Sequence, residues 1–332
     1  MKITFILPGF FICGGVKRIV ILANLLQKRE HQVTIVSHGG VSCGWYDNKV
    51  PVVANNNLDE DRMPDADALI VYECIKSEFS SKINSFDISK GKKYLLVLSY
   101  RYQKKDWVDY NIRLKKFTKI CTTEWLRNEC DNLGEKERTV RELLLTGIDE
   151  EQFHRVDKFD PSYLPPEGTV IGAYYRKDSY VCFTDIEKAF LKAKIKYPNL
   201  KLVTYSRDFD APAISDRHYK NPPQEKLKEI YSMCNIWLCA HSIDGLGMPP
   251  LEAMACGCCL VTTDTKGNRF YARHNETALV SEPRGVQKLS DNLILAIENK
   301  NLRNKLSKAG EEFAHSLKWE DSVSRLEKIL NG

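Results

Sequence analysis

No stretch of the 332-residue sequence approaches the ~20 consecutive apolar residues that cross a bilayer. Met1-Lys2 and the apolar residues after it mimic a secretory leader. Pro8 and Gly9 interrupt that run and no small-x-small cleavage site follows, so no leader is expected. Gly-x-Gly-x-x-Gly is missing after the first apolar run, which argues against a dinucleotide-binding dehydrogenase. The net charge of +5 is too small to argue for nucleic-acid binding, but it suits anionic small molecules or an anionic membrane surface. The eleven cysteines are odd in number and irregularly spaced, and several lie in apolar runs. They read as free thiols of a cytoplasmic protein. Cys256, Cys258 and Cys259 lack a second Cys or His pair at zinc spacing. Tandem repeats and low-complexity tracts are absent too.

What remains is alternation. Ile3–Leu7 is a short apolar run, followed by a glycine-containing loop over Gly9–Gly15. Val16, Ile19, Val20, Ala23 and Leu26 then recur at helical spacing, and Gln32–Ser37 is strand-like. Further strands are expected at Ala68–Tyr72, Tyr94–Ser99, Phe117–Thr122 and Thr139–Leu145, with a helix from Glu124. Proline and glycine cluster near 154–168, the best linker in the chain. A second run follows: strands at Val170–Tyr174, Leu200–Tyr205, Ile236–Ala240 and Cys259–Thr263, and helices at Asp185–Tyr197, Gln224–Ser232, Pro250–Cys256 and Trp319–Leu330. Alternating strands and helices imply parallel sheets covered on both faces. The expected class is α/β, with two Rossmann-like domains facing a cleft. The boundaries are an N-terminal domain at 1–155, a linker at 156–168, a C-terminal domain at 169–316 and a final helix over 317–332.

The stretch from Ile236 to Asp264 reads strand, loop, helix, strand. Its loop, Ser242-Ile-Asp-Gly-Leu-Gly-Met-Pro-Pro250, leads into Leu251-Glu252-Ala-Met-Ala-Cys256, closed by Gly257. Gly245 and Gly247 permit close backbone approach and positive φ. Pro250 suits a first helical turn. The helix start presents free N–H groups and a positive dipole end to an anion. Glu252, placed in that first turn, is chemically fit to accept two hydrogen bonds from a vicinal diol such as a ribose. Asp244 can do the same for a sugar. On spacing alone, the two acids read equally well as ordinary helix-start residues.

The run from Asp244 to Gly257 resembles the signature of the family 4 (GT4) retaining glycosyltransferases, in which two glutamates are separated by seven residues. Cys13-Gly14-Gly15-Val16 resembles that family's N-terminal Gly-Gly loop, and Thr146-Gly147-Ile148-Asp149 with Phe153 resembles a segment before its linker. Thr263-Asp264, Gly267-Asn268 and Tyr271-Ala272 resemble the loop after the signature helix. Trp319-Glu320 resembles the start of a last helix that returns to the N-domain. The resemblance implies a GT-B fold and retaining, metal-independent transfer of a sugar from a nucleotide-sugar, UDP or GDP favoured, to a glycan or lipid-linked acceptor in surface polysaccharide synthesis. It implies no cofactor. Glu252 would hold the ribose. Asp244 and the backbone of Gly245, Leu246, Gly247 and Met248 would hold the donor sugar. Arg176, with Lys177, would neutralise the diphosphate, and Gly14 and Gly15 would let the N-domain backbone approach it.

The chain departs from the pattern in three places. Asp244 replaces the usual Glu. Val181-Cys182 stands where the family has Lys-Gly. Tyr72-Glu73-Cys74 lacks the family's histidine, which makes Glu73 a candidate acceptor-side contact. These departures keep open a catalytically weak nucleotide-sugar-binding protein; a GT-B-type epimerase is the other alternative. Three Asp-x-Asp triplets, at 59–61, 65–67 and 208–210, lie in acidic loops and read as chance, so no metal is expected. Lys104, Lys105, Arg113, Lys115, Lys116 and Lys119, interleaved with Trp107, Tyr110 and Phe117, read either as a solvated face or as a peripheral contact with the inner face of the membrane.

Overall fold

The computed structural model describes residues 1–40, 44–73, 75–99, 112–113, 116–157 and 168–332. Most of the 104–119 basic and aromatic stretch and most of the 156–168 linker lie outside them. The chain divides into two compact units, one of Met1–Gly147 with Lys318–Gly332, the other of Ile148–Leu317.

The first unit carries β1 (Lys2–Leu7), α1 (Gly14–Lys28), β2 (Gln32–Ser37), β3 (Val52–Ala54), β4 (Ala68–Tyr72), α2 (Ser77–Ser85), β5 (Lys92–Val97), β6 (Thr118–Cys121) and α3 (Glu124–Asn132). Its sheet runs β3-β2-β1-β4-β5-β6, with every pairing parallel. The five residues of β4 are all buried, as expected of a strand covered on both faces. Thr139–Leu145, expected to be a strand, is not one. Thr139 makes an isolated parallel bridge to Lys119, and Val140 and Leu144 donate to the carbonyls of Lys119 and Cys121. The segment therefore trails along the edge of β6 without a continuous ladder. The chain's last helix also belongs to this unit.

The second unit carries β7 (Val170–Tyr174), α4 (Phe183–Lys196), β8 (Lys201–Ser206), β9 (Arg217–Lys220), α5 (Leu227–Ser232), β10 (Ile236–Leu238), α6 (Met248–Ala255), β11 (Cys259–Thr263), β12 (Ala278–Ser281), α7 (Val286–Glu298) and α8 (Lys300–Ser316). Its sheet runs β12-β11-β10-β7-β8-β9, again parallel throughout. The dividing line falls at Gly147, before the position 155 read from the sequence. Phe153 packs against Tyr231 and its carbonyl meets His315, which ties this stretch to the second unit. Strands β3, β9 and β12 have three or four residues each, too short for a clear period.

α9 (Trp319–Asn331) buries Trp319, Val323, Leu326 and Leu330 in the core built on α1 and β1. Glu327 accepts from Arg29 at 2.6 Å and pairs with His31 at 2.9 Å. Among the described residues, no helix is long and apolar enough to cross a membrane.

Candidate functional site

Both sheets have the doubly wound order 3-2-1-4-5-6, counted from each unit's first strand. In such sheets ligands bind beyond the carboxyl ends of the strands, where the order reverses. In the second unit the reversal lies between β7 and β10, which are hydrogen-bonded neighbours. Arg176 and Lys177 follow β7, and the loop from Cys239 to Gly247 follows β10. The residues singled out in this half therefore converge on one end of one sheet.

The loop after β10 ends at Gly247, whose φ of +83° makes it the N-cap of α6. Met248, Pro249 and Pro250 are already helical, so Glu252 is the fifth residue of α6 and lies beyond its first turn, correcting the placement read from sequence. Gly257, at φ +79°, terminates the helix as expected. The loop is braced from behind. Tyr271, fully buried, donates to the carbonyls of Leu246 at 2.9 Å and Gly247 at 3.0 Å. Asp244 donates its N–H to Thr265 at 3.1 Å. A Cβ on Gly267 would sit closer than 3.0 Å to the carbonyls of both Asp244 and Gly245. Gly267 thus lets two backbones touch. Of the first three helical residues only Met248 carries an N–H, because Pro249 and Pro250 have none.

Each acid of the loop and helix has a partner that the sequence did not disclose. Glu252, 5% exposed, accepts a hydrogen bond from the hydroxyl of Tyr231 at 3.0 Å. That hydroxyl lies 2.8 Å from the hydroxyl of Tyr205. Since Tyr231 has one proton and gives it to a carboxylate, Tyr205 must donate to Tyr231. Burial pushes both phenols well above their ordinary pKa. Asp244 Oδ2 lies 3.1 Å from Nδ1 of His241. Burial pulls the pKa of His241 down, but the Cys239 sulfur and the Asp244 carboxylate outweigh it and hold the value up, at about 10. For the Cys239 thiol, burial acts upward and His241 prevails in lowering it.

On the other side of the reversal, Arg176 Nε pairs with Asp178 at 2.6 Å and its guanidinium lies 5.8 Å from the centre of the Tyr180 ring. Lys177 lies 5.5 Å from the Phe209 ring. Val181 and Cys182 are buried, and Cys182 takes the left-handed conformation (φ +51°, ψ +42°) as N-cap of α4. This is a backbone that glycine adopts without cost.

In the first unit the reversal lies between β1 and β4. Gly14 and Gly15 open α1 there, capped by Cys13, whose Sγ accepts the N–H of Val16 at 3.4 Å. A Cβ on Gly15 would collide with the hydroxyl of Tyr72. Glu73, directly after β4, is fully buried. It accepts the N–H groups of Leu98 at 3.0 Å and Ser99 at 2.8 Å, and the Ser99 hydroxyl at 3.0 Å. It clamps the chain leaving β5 rather than standing open to a ligand, and its burial pushes the carboxyl pKa up to about 7. Arg18, also buried, donates to the carbonyl of Leu144. Burial pulls it down to about 9 against the attraction of Glu73. Among the described residues, no group of three or more His, Cys, Asp or Glu is arranged to hold a metal ion.

Residues 217–313 match the family model described as Glycosyl transferases group 1, a segment that contains the whole loop-helix stretch. The O-antigen biosynthesis protein RfbC of Myxococcus xanthus is 34% identical over 108 residues, 32% of this chain and 8% of that protein. The chain thus spans less than a tenth of that curated relative. Among solved structures, Anabaena HepE in complex with UDP and glucose matches with a TM-score of 0.78 at 12% identity, covering 100% of this chain and 99% of that one. A glycosyltransferase from Rickettsia africae matches with a TM-score of 0.76 at 14% identity, covering 99% and 97%. The two parallel six-stranded sheets and these end-to-end matches give the chain the GT-B fold of glycosyltransferases.

Proposed function

We propose that this protein transfers a sugar, with retention of anomeric configuration, from a nucleoside-diphosphate sugar held by the second unit to a hydroxyl of a glycan or lipid-linked acceptor. The observation that carries the reading is the braced loop and helix start after β10, with Asp244 before it and Glu252 inside it. That arrangement offers the backbone N–H groups of the loop from Gly245 to Met248 to a diphosphate, Pro249 and Pro250 having none, and carboxylates to sugar hydroxyls. The group 1 match over 217–313 and the UDP and glucose bound by the HepE neighbour support it, with UDP or GDP as nucleotide.

In this reading Glu252 takes the ribose hydroxyls, and Asp244 with Gly245 to Met248 takes the donor sugar. Arg176 and Lys177 offset the charge that develops on the diphosphate as the bond from the anomeric carbon to the phosphate oxygen breaks. The acceptor oxygen bonds the anomeric carbon on the same face. Its proton passes to the departing phosphate, so no protein base is required. No metal or cofactor takes part, and the acceptor meets the enzyme at the inner face of the membrane in surface polysaccharide synthesis.

A second reading, a nucleotide-sugar-binding protein with little turnover, is favoured by one observation. Buried Val181 and Cys182 occupy the place of a cation, and Arg176 is already paired with Asp178. The test is a thermal-shift screen against UDP, GDP, ADP, CMP, dTDP and their sugar conjugates, repeated with Glu252→Ala. A ligand at 100 times its dissociation constant should add about 2.7 kcal/mol. A shift with one nucleotide class, lost in Glu252→Ala, supports the donor site. Sugar release or transfer from that donor then separates enzyme from binder, and no shift with any nucleotide refutes both readings.

A further inference from the structure

We propose that His241 is a positioning residue for Asp244, fixing one carboxylate oxygen so that this short acid meets the donor sugar in a single orientation. This rests on the donor site proposed above. Asp244 is one methylene shorter than a glutamate, and it stands in a loop of glycines. Without a partner, its carboxylate would be poorly fixed for recognising hydroxyls. The structure supplies a partner three residues earlier, with His241 Nδ1 at 3.1 Å from Oδ2. A carboxylate only accepts, so Nδ1 carries the proton.

His241 is itself held, in backbone and ring, from several sides. His241 is 5% exposed. Its carbonyl accepts the hydroxyl of Thr263, at the end of β11, at 2.6 Å. Ser242, next in the chain, donates its N–H to the carbonyl of Tyr180 at 2.7 Å, and the Tyr180 ring stands edge-on to the imidazole with centres 6.1 Å apart. The Cys239 sulfur, just past the end of β10, favours the charged imidazole. Asp244 is the more accessible partner, its side chain 27% exposed against 7% for His241. The geometry is that of a buried arm bracing a carboxylate at the surface of the site. Two oxygens accept about four hydrogen bonds between them, so the bond from His241 leaves the acid with capacity for a sugar.

The test compares UDP-glucose with UDP, and GDP-mannose with GDP, by calorimetry on wild type, His241→Ala, His241→Asn and Asp244→Asn. Asparagine can present an N–H near the place of Nδ1. His241→Ala should weaken the sugar nucleotide about tenfold, the worth of one hydrogen bond to a charged group, and leave the bare nucleotide nearly unchanged. His241→Asn should restore most of the loss, and His241→Ala should add little in an Asp244→Asn background. Equal weakening of both ligands, no weakening, or failure of asparagine to rescue would overturn the role. If wild type binds no nucleotide, the donor site itself fails and this role with it. If wild type binds and the variants do not separate sugar from nucleotide, the positioning role alone fails.

Discussion

Replacing Tyr231 by phenylalanine would remove one oxygen from the middle of a buried chain of donors. Tyr205 donates to Tyr231 over 2.8 Å and Tyr231 donates to Glu252 over 3.0 Å, and both tyrosines are buried. The ring stays, so packing against Trp237 at 4.9 Å between ring centres is kept. Two losses follow. The bond to the carboxylate is of the charged kind, worth about 1.5–3 kcal/mol, and the stranded Tyr205 hydroxyl costs about 1–3 kcal/mol. The sum, roughly 2.5–6 kcal/mol, should lower the melting temperature by about 5–24 °C, at ~2–4 °C per kcal/mol for a unit of this size. Adding Tyr205→Phe should recover part of that loss, because the stranded hydroxyl disappears. The recovery separates a donor chain from simple packing, under which the second substitution would only cost more. On the ligand side, Glu252 should lose its fixed orientation, so the preference for UDP over 2′-deoxy-UDP should shrink in Tyr231→Phe. Differential scanning fluorimetry of the three variants and calorimetry with the two nucleotides measure both effects. A neutral Tyr231→Phe, or a double variant less stable than the single one, would refute the donor chain.

Gly267→Ala should cut affinity for the donor nucleotide at least tenfold with the circular dichroism spectrum intact. The new Cβ meets backbone carbonyls at Asp244 and Gly245, and displacing a binding loop by ~1 Å is enough to cost that much; unchanged calorimetry would contradict the bracing of that loop. Glu73 makes stability depend on pH. Its pKa is about 7 in the fold against about 4.3 unfolded, so the fold holds the extra proton between those values. The contribution is full below about pH 4.3 and is lost as pH rises through 7, a decline of roughly 3–4 kcal/mol. Urea denaturation of wild type and Glu73→Gln across pH 4.5–8 should show wild type falling by that much more than the variant, since His241 titrates in both; parallel curves would refute it.

Much of the framework was legible in sequence, for a physical reason. The strands β1, β4, β7 and β11 are buried on both faces along most of their length, so they print as largely apolar runs. Helix α1 repeats its apolar residues on one face. The glycines and prolines of 245–257 announce a loop, a helix start and a helix end through backbone constraints that act within a few residues. Where the rule is not local, sequence is silent. Strands of three or four residues have no period to read. Thr139–Leu145 has strand composition, but it finds an edge on which a full ladder does not form. Sequence puts Glu252 two residues too near the helix start because Gly247, rather than the prolines, caps the helix.

The partners of the two acids mark the same boundary more sharply. His241 stands three residues before Asp244, so a local search could have paired them. Tyr231 lies 21 residues before Glu252 and Tyr205 a further 26 before that, and they meet through packing of α5 and β8 against α6. The sheet order explains why the site residues gather at all. In each unit the chain turns back between its first and fourth strands, and the loops leaving those two strands diverge to opposite faces. In the second unit those loops carry Arg176 and Asp244. In the first they carry Gly14 with Gly15 and, after β4, Glu73. A carboxylate buried at that first reversal, tied to Leu98 and Ser99, governs where the chain goes after β5 rather than what it touches. The histidine-less segment at Tyr72-Glu73 is therefore a difference in how a loop is anchored, and a Glu73 variant should alter stability and its pH dependence before it alters any property of the nucleotide site proposed for the second unit.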